Sequence, residues 1–290
     1  MAKQPGYQIS SYKLFGSAFA LLSELHRGPL RQWPKDEREA RYAAFRAGFE
    51  SLEDELADAK KNGKHAFIKE HTIFTFGPDK LFAGLYGSDD GVEPLLLQQR
   101  DEPKSAHTNP SSLPDKILLS LQPIFQIRHP ALMFPSMVRA QSRVLPDSNT
   151  RNPRVFSTLT LRHSRAVFDW YLEHGGDLKP KVIDADDIMN EPAVVRQLCI
   201  ETGLDPDAIQ YEWEERQEEN ALKASFLSTI ITSKGIVKGL DARGLDIEAE
   251  KVKWKAEFGD DTGEGLAKFV YDAMPDYEYL LSHRTRAKVA

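Results

Sequence analysis

The stretch FQIRHPALMFPSMVRA, residues 125–140, joins a short apolar run to an arginine and places a serine eight positions after it. The run Ile124–Ile127 has the length of a buried strand, and apolar residues at helical spacing follow it. Arg128 would then leave the carboxyl end of the strand just before a helix N-terminus, where free N–H groups favour an anion. Two interpretations remain open: Arg128 and Ser136 bind one oxyanion, or Arg128 pairs with a nearby carboxylate and Ser136 is an ordinary helix residue.

Further short apolar runs, in HAFIKEH (residues 65–71) and KPKVIDADD (residues 179–187), also have the length of buried strands and alternate with helical segments. This alternation predicts an α/β fold with a mainly parallel sheet flanked by helices, followed by a helical C-terminal region. Ligands bind such sheets outside the carboxyl ends of the strands. We therefore expect His71 and Arg128 to end neighbouring parallel strands and to face one cleft.

The polar residues Lys69, Glu70 and His71 follow the first of these runs. A lysine can stabilise developing negative charge, and an imidazole that titrates near neutrality can deprotonate an attacking hydroxyl or amine. Glu70 is placed to orient the ring of His71. A histidine at the end of a strand can equally be a structural hydrogen-bonding residue, so both roles remain open.

The composition excludes several classes of function. A net charge of −6 argues against general nucleic-acid binding, and no apolar run is long enough to span a membrane. The single cysteine, Cys199, cannot form an internal disulfide and is predicted in the core, which fits a reducing cytoplasmic compartment. The eight histidines lack zinc-ligand spacing, and the carboxylates of DADD (residues 184–187) are typical of caps and turns, so no metal is predicted.

The chain is predicted to form one domain over residues 1–290. Residues 1–63 form its helical N-terminal part, residues 64–205 its core sheet and helices, and residues 206–290 its helical C-terminal part. Residues 88–115, rich in Pro, Ser, Asp and Asn, predict a long, mobile excursion over the surface.

Together these motifs resemble the sulfotransferases that use 3'-phosphoadenosine 5'-phosphosulfate (PAPS), and the whole is similar to fungal sulfotransferase-like proteins. The resemblance covers roughly residues 64–240 and implies a P-loop NTPase-like fold of the sulfotransferase type. It implies that Lys69 and His71 are catalytic, with His71 as the base. It further implies that Arg128 and Ser136 bind the 3'-phosphate of PAPS, a co-substrate, with no metal. A basic-glycine element that also contacts this phosphate is matched by Lys234 and Gly235 in TSKGIVKG.

One family element has no counterpart in the sequence. The family opens with a strand and a loop of the type Pro-[Lys/Arg]-Ser-Gly-[Ser/Thr]-Thr, whose amides and basic side chain hold the phosphosulfate. The segment YKLFGSAFALL (residues 12–22) has one glycine and one serine but no apolar strand before it. The sequence therefore predicts an N-terminally abbreviated fold that lacks this loop and whose transfer chemistry requires it to be supplied.

Two functions follow from this combination. One is sulfonate transfer from PAPS to the hydroxyl or amine of a small molecule, in secondary metabolite biosynthesis. The alternative is a non-catalytic relative that binds a nucleotide or serves as a scaffold. A small-molecule acceptor is the expected partner, without nucleic acid or membrane. The sequence specifies neither the acceptor nor the oligomeric state.

Overall fold

The computed structural model describes residues 4–10 and 12–288. Within this part the chain forms four short strands and thirteen α-helices, joined by turns and short 3-10 helices. In chain order they are β1 (Tyr7–Ser10), α1 (Phe15–Leu22), α2 (Lys35–Lys61), β2 (His65–Ile68), α3 (Pro78–Tyr86), α4 (Asp115–Leu119), β3 (Ile124–Ile127), α5 (Pro130–Ser142), α6 (Pro153–Phe156), α7 (Arg162–His174), β4 (Lys181–Asp184), α8 (Ala185–Asn190), α9 (Pro192–Thr202), α10 (Ala221–Phe226), α11 (Ser228–Ile231), α12 (Ile247–Phe258) and α13 (Asp260–Ser282).

The chain divides into two compact units. Among the described residues, the first unit comprises those up to 123 and 163–180, and the second comprises 124–162 and those from 181 to 288. The single domain expected from the sequence stays a prediction. None of the helices in the described ranges has the length and apolarity needed to cross a membrane.

In the first unit, β1 and β2 pair in parallel, with Tyr7 opposite His65 and Ser10 opposite Ile68. Strand β2 lies where its apolar run predicts it. Strand β1 was not predicted, because its residues, YQIS, are mostly polar and its isoleucine, Ile9, is 43% exposed. The long helix α2 follows the predicted pattern: it buries Tyr42, Phe45, Phe49 and Leu52 at intervals of three and four residues and leaves a charged face in solvent.

Residues 88–115 were expected to run over the surface, and this prediction is wrong for Leu95, Leu97 and most of residues 109–115, which are buried. Leu95 and Leu97 are fully buried, and Asn109 and Ser111 are buried polar residues. The Asp115 carboxylate accepts hydrogen bonds from the backbone N–H groups of Thr108 and Asn109 and from the Asn109 side chain. The polar residues whose composition predicted a surface loop form hydrogen bonds with one another inside the unit. These hydrogen bonds offset the free-energy cost of burying polar groups.

In the second unit, β3 and β4 pair in parallel, and Ile127 lies opposite Asp184. Both strands, and the helices after them, lie where the sequence predicts them. Helix α5 continues through Pro135, and α9 begins at Pro192 and ends at Gly203, whose φ of 74° forms the left-handed cap.

The core of the second unit is an apolar cluster contributed by α5, α6, α12 and α13. Its buried members include Phe134, Val138, Trp254, Leu266 and Val270. A smaller cluster of Ile183, Val195 and Leu198 packs α9 against β4. These contacts hold α5, and therefore the chain segment that follows Arg128, in a fixed position.

All strand pairs of the described residues are parallel, which agrees with an α/β fold. Each unit holds one sheet of two hydrogen-bonded strands. His71 follows β2 in the first unit, and Arg128 follows β3 in the second. The expectation that the two residues end neighbouring strands stays a prediction. Four-residue strands contain too little pattern to specify their partners.

Candidate functional site

Glu70 ties the end of β2 to the turn after β1. One of its carboxylate oxygens accepts hydrogen bonds from the backbone N–H groups of Lys13 (3.0 Å) and Leu14 (2.7 Å). The other accepts from the N–H of His71 at 3.0 Å. Burial raises the pKa of Glu70, and these N–H donors oppose that rise. The expectation that Glu70 orients the His71 ring is wrong, because its oxygens are engaged by backbone groups.

The His71 ring is held by other rings. It stacks on Tyr12, with 5.1 Å between ring centroids and 6° between planes, and meets Phe74 edge-on at 5.2 Å. Phe15 contacts two of these rings: its centroid lies 5.4 Å from that of Tyr12 and 5.2 Å from that of Phe74. We call these four residues the aromatic quartet. Within the described residues, neither ring nitrogen of His71 has a hydrogen-bond partner.

This environment sets the protonation state of His71. The residue retains an exposed edge, while its packed ring and the nearby charge of Lys69 both disfavour the imidazolium form. Burial, and secondarily Lys69, lowers the pKa of His71 from 6.5 to about 4. The ring is therefore neutral near pH 7, with a nitrogen lone pair available to accept a proton.

Lys69 is exposed and lies beside the same quartet. Its ammonium nitrogen is 5.6 Å from the centroid of the Tyr12 ring. Tyr12 thus contacts both predicted catalytic side chains. Their mutual arrangement is fixed at the carboxyl end of β2, as the sequence predicts.

The segment YKLFGSAFALL was expected to have no apolar strand before it, and the strand that precedes it, β1, is mostly polar. Helix α1 forms the last eight residues of the segment, so a strand precedes the turn and a helix follows it. The N–H groups of Lys13 and Leu14 converge on one carboxylate oxygen, which is how such turns bind anions. The Lys13 ammonium pairs with Glu55 at 3.0 Å. The family's loop sequence remains absent.

In the second unit, Arg128 leaves the carboxyl end of β3 as predicted. Its guanidinium donates to the backbone carbonyl of Leu240 at 3.1 Å, and its Nε is buried without a hydrogen-bond partner. Burial lowers the pKa of Arg128, while the charges of Asp186 and Asp184 act in the opposite direction. Among the ion pairs of the described residues none includes Arg128, so one side of its guanidinium is left for another acceptor.

The remaining predicted phosphate contacts also lie in the second unit. Ser136 is exposed on α5, two turns from Arg128. Lys234 is exposed, and its carbonyl accepts a hydrogen bond from the N–H of Trp213 at 3.1 Å. Gly235 forms an isolated antiparallel bridge with Glu212. The structure gives no direct contact between these residues and Arg128, whose partner, Leu240, belongs to the same loop as Lys234.

Asp184 is a buried carboxylate that sequence reasoning assigned only to a cap or turn. It caps α8 through the Asp186 N–H (2.7 Å) and also accepts from the Tyr277 hydroxyl (3.1 Å). It is 2% exposed, and burial raises its pKa to about 6. Asp186 accepts from the N–H of Ala242, which fastens the loop after Leu240 to this cluster. In the part of the chain that the structure describes, no group of three His, Cys, Asp or Glu could hold a metal ion.

Comparison with known proteins shows that the chain is similar to enzymes that transfer a sulfonate group. The sulfotransferase ppzF of Metarhizium majus (strain ARSEF 297) is 32% identical, over 89% of this chain and 81% of the relative. The sulfotransferase ppzF of Metarhizium rileyi (strain RCEF 4871) is 31% identical, over 88% of this chain and 80% of the relative. No protein-family model and no solved structure matches the chain.

Both relatives are matched over most of this chain and are more than 30% identical to it. The chain belongs to the sulfotransferases.

Proposed function

We propose that this protein transfers a sulfonate from PAPS to a hydroxyl or amine of a small molecule in fungal secondary metabolism. The proposal includes a P-loop NTPase-like arrangement of the strands. The observation that supports it best is the environment of His71, whose low pKa favours a neutral imidazole and whose ring nitrogens have no hydrogen-bond partner among the described residues. His71 lies beside Lys69, in a chain that belongs to the sulfotransferases.

Arg128 supports the assignment of PAPS as the donor. Among the described residues the Arg128 guanidinium donates to one acceptor, the neutral Leu240 carbonyl, and its Nε is unpartnered, so it has capacity for an anion. A phosphate accepts charge-assisted hydrogen bonds that are about twice as strong as those to a neutral carbonyl. We assign Arg128, with Ser136, Lys234 and Gly235, to the 3'-phosphate.

The chain's own residues would then act as follows. His71 accepts the proton of the acceptor hydroxyl or amine at a ring nitrogen, which requires the neutral form that its surroundings favour. Lys69 stabilises negative charge that develops during transfer. When bound, PAPS supplies the sulfonate, whose bond to the phosphate oxygen breaks as its bond to the acceptor forms.

The alternative is a relative that binds the nucleotide without transferring sulfonate. It is favoured by Glu70, whose carboxylate occupies the N–H groups of Lys13 and Leu14 at the turn where the family holds the phosphosulfate. If a donor cannot share or displace Glu70 there, binding through Arg128 would survive while transfer would be lost.

One experiment separates the two functions. The wild-type chain, His71→Ala and His65→Ala are incubated with radiolabelled PAPS and a panel of phenols, alcohols and amines. His65 lies at the opposite end of β2 and is exposed, which makes it the matched histidine control. In this proposal the N–H groups of Lys13 and Leu14, at the turn after β1, take the place of the missing loop sequence, which the sequence analysis expected to be required. We therefore expect transfer by the wild type, about 10²- to 10⁴-fold slower transfer by His71→Ala, and wild-type rates for His65→Ala.

Calorimetry with adenosine 3',5'-bisphosphate completes the test. Arg128→Ala should weaken binding by about 1.5 to 3 kcal/mol. Arg139→Ala is the matched control on α5, because Arg139 already pairs with Glu257. Nucleotide binding without transfer would establish the alternative, and the absence of both would overturn the proposed function.

A further inference from the structure

The neutral His71 ring lacks the partner that usually fixes such a base. Catalytic imidazoles are commonly oriented by a carboxylate that accepts a hydrogen bond from the second ring nitrogen. Glu70, the adjacent carboxylate, instead binds three backbone N–H groups. Among the residues that the structure describes, no hydrogen bond orients the ring, and its contacts are with other rings.

The aromatic quartet provides that constraint. Tyr12 covers one face of the imidazole in a nearly parallel stack, and Phe74 meets it edge-on. Phe15 contacts both Tyr12 and Phe74, so the ring positions are mutually dependent. Stacked and edge-to-face pairs at these separations are favourable beyond the area they bury.

The position of Tyr12 is itself determined by the backbone. Glu70 binds the N–H groups of the two residues that follow Tyr12, Lys13 and Leu14, and the N–H of His71. This single carboxylate thus holds the turn that carries Tyr12 against the end of β2. Helix α2 supports the turn from another direction, because the absence of a side chain at Gly48 lets the helix approach the Lys13 carbonyl closely.

We propose that Tyr12 is a positioning residue for the general base: its ring covers one face of His71 and fixes the orientation of the imidazole, and Glu70 holds the turn that places Tyr12 there. This rests on the proposed role of His71. Tyr12 also lies next to the Lys69 ammonium, so it keeps the base and the cation together. The ring, not the hydroxyl, performs this function.

The test measures His71 directly. Its imidazole is titrated by NMR in the wild type, Tyr12→Phe, Tyr12→Ala and Tyr12→Leu, and its signal among the eight histidines is assigned by its loss in His71→Gln. Tyr12→Phe should keep the low pKa of His71 and the wild-type transfer rate. Tyr12→Ala and Tyr12→Leu should both move that pKa toward 6.5. They should also slow transfer about 10²-fold, as expected for a misplaced catalytic group.

Tyr7 supplies the matched control. Its ring lies 5.4 Å from that of His65 at the opposite end of the same strand pair. Tyr7→Ala should therefore alter neither the pKa of His71 nor transfer. Thermal melting identifies any variant that fails to fold; if Tyr12→Ala does, Tyr12→Leu, which retains apolar bulk, decides the question.

The possible outcomes distinguish this inference from the proposed function. An unchanged titration of His71 and unchanged transfer in Tyr12→Leu would overturn the inference while transfer by the wild type stands. A titration that moves as expected in a protein without transfer activity would support the positioning of His71 by Tyr12 and contradict the proposed function. Loss of the low pKa in Tyr12→Phe would show that the hydroxyl, not the ring, is responsible.

Discussion

Asp184, the last residue of β4, is a buried carboxylate. It is almost fully buried, and two donors, the Asp186 N–H and the Tyr277 hydroxyl, offset part of the cost of its charge. Burial nevertheless raises the pKa of Asp184 from 3.8 to about 6. The folded protein therefore binds more protons at this group than the unfolded chain does between about pH 4 and pH 6.

The raised pKa of Asp184 makes the free energy of unfolding depend on pH. Stability from the protonated Asp184 is fully present below pH 3.8 and is lost as the pH rises through about 6. Asp184→Asn keeps an oxygen that can cap α8 but cannot ionise. Relative to the wild type, its free energy of unfolding should increase by about 1 kcal/mol between pH 5 and pH 7.5. Urea unfolding at both pH values measures this difference.

Asp246→Asn is the matched control, because Asp246 caps α12 through the same kind of hydrogen bonds at an exposed position. Parallel pH dependences for Asp184→Asn and the wild type would show that the Asp184 carboxylate is ionised throughout. The buried charge would then be compensated more fully than the two observed donors explain.

The sequence placed individual site residues better than it placed their partners. Lys69, His71 and Arg128 follow strands as predicted, because a polar residue at the end of an apolar run has a defined position along the chain. The partner of Glu70 was missed, since its N–H donor at Leu14 is 56 residues away. The stacking of Tyr12 on His71 joins equally distant segments, and no local pattern indicates such contacts.

At the scale of elements, the turn after β1 depends on the close approach of α2. A Cβ at Gly48 would lie 2.8 Å from the Lys13 carbonyl oxygen and 3.0 Å from the Leu14 side chain. Gly48→Ala raises helix propensity by up to about 1 kcal/mol, but the overlap costs about 1 to 3 kcal/mol. With the full gain in helix propensity, the free energy of unfolding should therefore decrease by up to about 2 kcal/mol, as measured with urea.

Gly16→Ala is the control: it also replaces a helical glycine by alanine, but its added Cβ overlaps no other atom. Gly16 lies in α1, where an added Cβ meets nothing within 4 Å. This variant should be up to about 1 kcal/mol more stable than the wild type. If Gly48→Ala were stabilised to the same degree, the contact between α2 and the turn would have no energetic importance.

Elements were predictable in proportion to their apolar pattern. The long helix α2, and the strands β2, β3 and β4, each carry a recognisable run of apolar residues. Strand β1 does not, because its isoleucine faces solvent and its remaining residues are polar or aromatic. The buried turn around Asp115 was also missed, since buried polar residues that bond one another have the composition of a surface loop.

At the scale of the whole molecule, the relatedness to sulfotransferases and the geometry of the site support each other. The matching relatives cover most of the chain. Similarity to these relatives does not by itself identify the catalytic base. The local structure singles out His71, whose imidazole is held by neighbouring rings and is neutral near pH 7. The pairing of strands into two sheets could not have been predicted, because strand partners are chosen by long-range packing.

The pH dependence of sulfonate transfer tests the central claim most directly. With PAPS and an acceptor from the panel, kcat/KM of the wild type should be flat from about pH 5.5 to 8 and fall at lower pH. The midpoint of that fall should lie near the His71 pKa of about 4, and His71→Ala should lose both the high rate and this acid limb. Circular dichroism at each pH verifies that the fold persists. An acid limb centred near 6.5, or one that remains in His71→Ala, would contradict the account of His71 as the neutral general base.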